Sequence, residues 1–431
     1  MRRALSLLLL STSLVFLSCG YTAPSSSQSG SGLKGRAFVS QDVSVAGVTA
    51  GLILVDAQHD LEAGLSPISA GATPGMMVVT PNHNQTLVFS PADKVFSLIN
   101  NASEADAAQV TLPGLTESFV VSPDSLNAYV AVPTAPVVGQ SPGAVEVVGL
   151  TSGKFTAEID VPTVRYLSMS HNGNRILAFS DSPDTTDAPC TPQVPCFLFV
   201  ITPSNIGTGN PVVAPVPGFD QPVQAYFSSD DNTAYVVNCG AACGGAAASV
   251  EKLDLTSNPP TPGTLVNVPA ASVAVVNGTT MYLAGTSVPA SPCTGQQTAA
   301  TTCGLLTVLD LPSMTVTNSA PIIITDGYHN RMALGANGQL FVGARTCTEI
   351  TLPNPTNEVR GCLSIYNTQT GAVVIPPANG DATGIQPVAN RTVVYVVQGG
   401  ELAIYDTATD KLQPAQIDIA GQAIDVKTID F

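Results

Sequence analysis

The chain has 431 residues, with 15 Lys and Arg against 31 Asp and Glu, which gives a net charge of −16. Charged residues are only 11% of the chain, against about 25% in ordinary globular proteins, and tryptophan is absent. An acidic surface of this kind repels nucleic acid and anionic lipid headgroups. We therefore expect no DNA, no RNA and no direct binding to a membrane surface.

The N-terminal segment has the layout of an export signal. Arg2 and Arg3 form a basic start, residues 5–17 are mostly apolar, and residues 18–20 (SCG) follow as at a cleavage site. The apolar stretch is too short for a transmembrane helix, which needs about 20 residues. Removal of the two arginines leaves 13 Lys and Arg against 31 Asp and Glu, a net charge of −18.

With residues 16–19 (FLSC) as a lipobox, this segment resembles a bacterial lipoprotein signal peptide. The resemblance implies that residues 1–18 are removed, that Cys19 is lipidated, and that residues 19–33, rich in Ser and Gly, form a flexible tether. The alternative is an ordinary secretory signal with an incidental cysteine.

A four-stranded pattern repeats along residues 34–431. It is clearest at residues 118–161, where four β-branched runs alternate with turn residues, as in an antiparallel meander. One such unit cannot bury both faces, so the units must stack, and sheets of this size stack radially into an all-β propeller. The first strands of successive units begin near Gly75, Ser118, Tyr166, Ala225, Ser272, Arg331, Ile385 and Ala423, which gives a repeat of about 50 residues.

The first turn of each unit repeats its chemistry. Six of seven units place Asn or Asp in this turn, and these residues favour turns because they bond nearby backbone amides. The turn residues are Asn82, Asp124, Asn172, Asp230, Asn277, Ala336 and Asn390, and an apolar strand residue follows five positions later each time.

The two ends of the repeat complement each other. The first unit has strands at residues 37–40 and 52–55 and a fourth strand near 65–69, but it lacks a first strand. Residues 423–429 supply that strand from the C-terminus. We predict a single propeller closed by strands from both termini, with eight blades; seven blades is the alternative. Closure hides the sheet edges that invite aggregation.

Several second strands carry a recognisable motif. Residues 129–132 (YVAV), 235–238 (YVVN) and 395–398 (YVVQ), together with the turn at residues 122–124 (SPD), resemble the YVTN-type β-propeller repeats of bacterial surface and exported proteins. The resemblance covers nearly the whole mature chain. It implies a propeller and says little about activity.

Eight cysteines remain after Cys19, and each neighbouring pair falls between the second and third strands of one unit. In an exported protein such pairs form disulfides that close their own loops. A zinc site is disfavoured because no pair has the Cys-x2-Cys spacing and these loops contain no histidine. The predicted bridges are Cys190–Cys196, Cys239–Cys243, Cys293–Cys303 and Cys347–Cys362.

No nucleophile elbow, phosphate loop, metal-binding helix or calcium loop is present in the sequence, so we predict no catalytic residue, no metal site and no cofactor. The candidate binding residues lie where the chain crosses from one blade to the first strand of the next. These crossings and the disulfide loops share one side of the propeller, the channel-mouth face. Binding residues are predicted at Glu117, Arg165, Asp326, His329 and Arg331, and further polar residues at Asp220, Gln221 and Asp381. The alternative is that the two arginines form ordinary surface ion pairs with Glu117 or Asp326.

These features favour an exported, membrane-tethered protein that binds a protein or a cell-envelope glycan through the channel-mouth face. We expect a monomer in the bacterial cell envelope, periplasmic or surface-exposed, with the membrane contacted only through the lipid anchor. One alternative is a hydrolase of lactonase-like type, because some propellers of related repeat type hydrolyse lactones. Another is an outer-membrane assembly factor, although the eight-bladed lipoprotein of that class has Trp docking motifs that this chain lacks.

Overall fold

The computed structural model describes residues 30–42, 49–182, 190–291, 293, 302–351 and 357–430. Their regular structure is almost entirely β-strand, arranged as eight antiparallel sheets around a central channel. The predicted eight-bladed propeller is confirmed, and the seven-bladed alternative is wrong. Cys19 and the predicted signal peptide lie outside the described residues. No helix in this part of the chain has the length and hydropathy needed to span a bilayer.

Each blade is a meander whose first strand borders the channel. From the channel outward, blade 1 comprises Gln422–Thr428, Arg36–Asp42, Leu52–Asp56 and Leu61–Glu62. Blade 2 comprises Met77–Val79, Gln85–Ser90, Val95–Asn100 and Ala105–Thr111. Blade 3 comprises Phe119–Val121, Asn127–Val132, Ala144–Gly149 and Lys154–Asp160. Blade 4 comprises Val164–Met169, Ile176–Ser180, Cys196–Ile201 and Val213–Phe219.

The second half of the ring follows the same plan. Blade 5 comprises Pro222–Phe227, Thr233–Asn238, Ser249–Asp254 and Thr261–Asn267. Blade 6 comprises Val273–Asn277, Thr280–Ser291, Cys303–Asp310 and a fourth strand in two segments, Thr315–Val316 and Ile322–Ile324. Blade 7 comprises Tyr328–Leu334, Gln339–Arg345, Leu363–Asn367 and Val373–Val374. Blade 8 comprises Ala382–Pro387, Val393–Gln398, Glu401–Asp406 and Lys411–Leu412. The insertions add a small hairpin, Ile350–Thr351 with Val359–Arg360, and 3-10 turns at Pro203–Asn205 and Gly240–Cys243.

In blades 2 to 5 the first turn is closed by its own side chains. In blade 3 the Ser122 hydroxyl donates to Asp124 at 2.6 Å, and Asp124 accepts the backbone N–H of Leu126 at 3.0 Å. Asn172 and Asp230 play the same part in blades 4 and 5. Because the turn closes at a fixed offset, the second strand starts in the same register in these blades.

The hydrophobic core lies between neighbouring blades. Phe96 of blade 2 packs edge to face on Phe119 of blade 3, with ring centroids 5.0 Å apart. Phe341 of blade 7 meets Tyr405 of blade 8 in a similar way at 6.0 Å. Each blade therefore covers the apolar face of the next, which is why the units stack as a ring.

The ring closes as predicted. The strand Gln422–Thr428 pairs with Arg36–Asp42 over six residue pairs, with Val39 opposite Val426. Beyond the strand, the Asp430 carboxylate accepts the Nε and Nη2 donors of Arg36 at 2.7 and 2.8 Å. Arg36 also donates to Glu104 of blade 2 at 2.7 Å, so this ion pair joins both ends of the chain to the neighbouring blade.

The fourth strand of blade 1 differs from its prediction at residues 65–69. The carboxylate of Asp56 accepts the backbone N–H of Gln58 at 2.9 Å and so tightens the preceding turn. The chain therefore pairs at once as Leu61–Glu62, and of the predicted stretch Ile68 alone forms a bridge, to Leu52.

The four predicted disulfides are present. They join Cys190 to Cys196, Cys239 to Cys243, Cys293 to Cys303 and Cys347 to Cys362. Each bridge lies between the second and third strands of its own blade, in blades 4 to 7. The prediction that each pair closes its own insertion loop is confirmed.

Candidate functional site

A cavity of about 480 Å³ opens at the end of the channel where the first strands begin. We call it the mouth cavity. It is formed by first-strand residues or the crossings before them in seven of the eight blades, with the ends of the second strands of blades 2 and 7. Its polar lining includes Thr116, Glu117, Ser118, Arg165, Tyr166, Gln224, Ser272, Tyr328, Asn330, Arg331 and Arg345.

Bulges in the first strands shape this lining. In blades 1, 4, 5, 7 and 8 one residue at the start of the first strand has no partner on the second strand. Bulges re-aim side chains and are common beside functional sites. Four of the five bulged residues line the mouth cavity: Arg165, Val223, Asn330 and Ile424.

Arg165 forms the ion pair that the alternative interpretation expected. Its Nε donates to Glu117 at 2.9 Å, and its Nη1 lies 3.5 Å from Asp181. Its guanidinium carbon also lies 5.1 Å from the centre of the Tyr166 ring, a cation–π contact. Both partners of the Glu117 pair are substantially exposed, so the pair adds little to stability and leaves the arginine accessible.

Two tyrosines meet across the channel. Tyr166 belongs to blade 4 and Tyr328 to blade 7, and their hydroxyl oxygens are 3.1 Å apart. The Tyr166 hydroxyl also donates to Glu117 at 3.2 Å. Burial first, and then the neighbouring Tyr328, raise the pKa of Tyr166 well above its ordinary value, so it stays protonated. The two tyrosines therefore place a pair of adjacent hydroxyl groups in the mouth cavity.

Arg331 and Arg345 lie together in blade 7 and have no carboxylate bonded to them among the described residues. Arg331 donates from Nε to the carbonyl of Thr383 at 2.9 Å and from Nη1 to the carbonyl of Asn330 at 3.0 Å. The Arg345 side chain makes no hydrogen bond to another described residue, and its Nε is buried. Burial and the positive charge of Arg331 lower the pKa of Arg345.

The predicted residues Asp326 and His329 lie behind the cavity wall. Asp326 is buried and accepts the backbone N–H and hydroxyl of Thr348 at 2.6 and 2.8 Å, together with the hydroxyl of Thr302. It thereby ties two disulfide loops to one crossing. His329 is fully buried, its Nε2 donates to the carbonyl of Thr325 at 2.9 Å, and burial lowers its pKa to about 4. Their role in binding remains a prediction.

Asp220 and Asp381 hold loops in the same way. The Asp220 carboxylate accepts the backbone N–H groups of Ala246 and Ala247 at 3.0 and 2.7 Å, next to the Cys239–Cys243 loop. Asp381 accepts the N–H of Thr346 at 2.7 Å. Carboxylates at the crossings therefore fix the insertion loops that surround the mouth cavity.

The lining of the mouth cavity carries more positive than negative side chains. Its lining contains three arginines and one carboxylate, although the whole chain carries a charge of −16. Sequence reasoning found Glu117, Arg165 and Arg331 but missed Arg345, Asn330 and the two tyrosines. The available signal was the scarcity of basic residues, which makes every arginine near a crossing informative. Among the described residues, no three His, Cys, Asp or Glu side chains gather closely enough to bind a metal ion.

A second cavity, of about 560 Å³, lies on the opposite face between blades 1 and 8. Its arginines are already paired, Arg36 with Asp430 and Arg391 with Asp60. The Nη1 and Nη2 atoms of Arg391 donate to the two carboxylate oxygens of Asp60 at 2.5 and 2.7 Å. These pairs hold the closure of the ring. This larger cavity therefore lies where the ring closes, and its arginines already have structural partners. The mouth cavity is the better candidate for function.

Comparison with known proteins identifies the fold alone. No family model matches the chain, and no curated protein matches it by sequence. Among solved structures, the dihydro-heme d1 dehydrogenase NirN in complex with DHE is similar at a TM-score of 0.61 and 12% identity, over 92% of this chain and 75% of that one. Hydrazine synthase of Kuenenia stuttgartiensis gives 0.55 and 13%, over 80% and 99% of the two chains. A functionally unknown protein from Desulfotomaculum acetoxidans gives 0.51 and 18%, over 81% and 98%.

Proposed function

We propose that this chain is an exported β-propeller, tethered to a bacterial membrane through Cys19, that binds a protein or cell-envelope glycan at its channel-mouth face. The observation that carries the proposal is the mouth cavity, where three arginines gather in a strongly acidic protein. Ligands bind preferentially in concave sites with a few convergent polar groups, and this cavity fits that description.

The disulfides support both the proposed export of the protein and the proposed mode of binding. Stable disulfides form in oxidising compartments, so four of them favour a protein that leaves the cytoplasm. They also fix the insertion loops around the cavity. Loops that are ordered before binding lower its entropic cost, which suits recognition of a partner.

The test compares the two faces of the propeller. Binding of the mature protein to purified peptidoglycan fragments and envelope polysaccharides is measured by biolayer interferometry. We expect the double variant Arg165→Ala with Arg331→Ala to weaken binding at least tenfold without a large change in melting temperature, because these side chains are partly exposed. The double variant His83→Ala with His171→Ala, on the opposite face, is the control. Loss of binding in the control pair with normal binding in the arginine pair would place the functional face on the other side.

A further inference from the structure

Two buried polar groups of the mouth cavity make no hydrogen bond to another described residue, and their chemistry indicates the class of ligand. They are the Nε of Arg345 and the side-chain oxygen of Asn330. A buried donor or acceptor left in this state costs about 1–3 kcal/mol, so native proteins rarely keep such groups without a use.

These two buried groups require ligand groups of opposite hydrogen-bonding character, an acceptor for Arg345 and a donor for Asn330. The Arg345 guanidinium offers donors and a positive charge, and Arg331 beside it keeps Nη2 without a partner among the described residues. Together they can hold a carboxylate, whose two oxygens match the planar geometry of a guanidinium. The oxygen of Asn330 is an acceptor, so it needs a donor such as a ligand hydroxyl group.

From these contacts we propose that the mouth cavity binds a small hydroxylated organic acid, such as a sugar acid. Its carboxylate lies between Arg331 and Arg345, and one of its hydroxyl groups donates to Asn330. The inference rests on the proposed function, since it names the chemical class recognised at the same face.

The register of blade 7 explains how these groups come together. Tyr328 pairs with Arg345 and Arg331 pairs with Gly343, so the two arginines lie on adjacent strands near the same end of the blade. Asn330 is the bulged residue between them in the ladder, because His329 pairs with Ala344 and the next pair is already Arg331. Gly343 opposite Arg331 contributes no side chain that would cover the guanidinium.

The surroundings favour a sugar acid over a simple anion. The rings of Tyr166 and Tyr328 and apolar residues such as Val223 and Val273 form much of the remaining lining. Tyrosine combines an apolar ring with a hydroxyl group, which suits a ligand that has both C–H faces and hydroxyl groups. Inorganic phosphate would satisfy the arginines but would leave this part of the cavity unfilled.

Calorimetric titration of the mature protein tests the proposal with three probes: D-glucuronate, D-glucose and inorganic phosphate. We expect glucuronate to bind at least tenfold more tightly than glucose, which lacks the carboxylate, and more tightly than phosphate. Arg345→Gln should weaken glucuronate binding at least tenfold, and Asn330→Leu about threefold to tenfold. Arg175→Gln removes an arginine on the opposite face and should change nothing.

The variants separate binding from folding. If Arg345→Gln does not fold, Arg345→Lys keeps the charge but loses the planar fork, and we expect it to bind glucuronate more weakly than the parent protein. Phosphate binding as tight as glucuronate binding, or unchanged glucuronate affinity in both Arg345 variants, would overturn the proposal. The proposed function survives if glucuronate fails to bind while an envelope fragment still requires Arg165 and Arg331.

Discussion

The ion pair that closes the ring gives a prediction whose size follows from the structure. Replacement of Asp430 by Asn keeps the shape of the side chain but removes its charge. The carboxylate accepts three hydrogen bonds from Arg36: two from the guanidinium, at 2.7 and 2.8 Å, and one from the backbone N–H at 2.9 Å. The variant therefore loses charge-assisted bonds next to the strand pairing that closes the ring.

The free-energy cost of breaking the Arg36–Asp430 pair lies between the cost for a surface ion pair and the cost for a buried one. The Arg36 side chain is 13% exposed and that of Asp430 28%. Exposed pairs contribute about 0–1 kcal/mol, and breaking a buried pair costs about 3–5 kcal/mol. Glu104 still bonds Arg36 in the variant, which limits the loss. We expect Asp430→Asn to lower the free energy of unfolding by about 2 kcal/mol.

The pH dependence carries a definite sign. Hydrogen bonds from Arg36 lower the pKa of Asp430 below its ordinary value of 3.8. A carboxyl group whose pKa is depressed in the folded state contributes stability above the unfolded pKa and loses it as the pH falls through the folded pKa. The difference between parent and variant should thus be constant from pH 7 to pH 5 and shrink as the pH falls below 3.8 toward the lowered pKa of the folded state.

Urea unfolding followed by circular dichroism at several pH values measures this difference. Asp418→Asn is the matched control, because Asp418 is exposed and near the same end of the chain. Equal stability of Asp430→Asn and Asp418→Asn at pH 7 would refute the argument that this pair holds the closure. So would a difference that persists unchanged at pH 2.5.

Three further predictions concern closure, buried carboxyls and the cysteines. Deletion of residues 422–431 removes the first strand of blade 1 and exposes a sheet edge, so we expect aggregation and no cooperative transition; a monomeric product with an unchanged melting temperature in calorimetry would contradict this. Burial raises the pKa values of Glu146 and Glu251 to about 7. Their ionised carboxylates therefore destabilise the folded state fully above about pH 7, and this destabilisation is absent below about pH 4.5. Glu146→Gln and Glu251→Gln should each stabilise the protein by about 1–2 kcal/mol at pH 8 and by nothing at pH 4, whereas the exposed Glu62→Gln should have no effect in the same urea titrations. Peptide mapping without reduction should recover the four bridges within blades 4 to 7 and a lipidated Cys19, and a bridge between two blades would contradict the loop-closing role.

The fold could be predicted because its information is local and repeated. Side chains such as Asp124 and Asp230 close turns through hydrogen bonds to residues only two positions away, and the repeat shows the same turn in most units. Blade number and ring closure then follow by counting. The fourth strand of blade 1 was misplaced because a tight turn after Asp56 allowed pairing earlier than the apolar pattern suggested.

The site could be predicted only in part because its contacts are distant in sequence. Tyr166 and Tyr328 meet although 162 positions separate them, and only a closed ring with known blade positions brings them together. Arg345 lies at the end of a second strand, whereas the predicted binding residues were all at the crossings between blades. The bulge at Asn330 was also hidden, since one additional residue in a short apolar strand leaves no clear signal in a single sequence.

The bulges link the architecture to the chemistry of the mouth cavity. A regular first strand alternates its side chains between the two faces of the blade, so its residues would pack against neighbouring blades. An unpaired residue breaks that alternation and turns a side chain toward the channel without disturbing the second strand, which carries the core. Arg165 and Asn330 occupy such positions in blades 4 and 7, where the two tyrosines also meet. The remaining bulged residues of the lining are apolar, so the polar character of the cavity is concentrated between these two blades. A ligand that binds here contacts groups that the propeller core does not require, and they can change with the ligand while the fold stays the same.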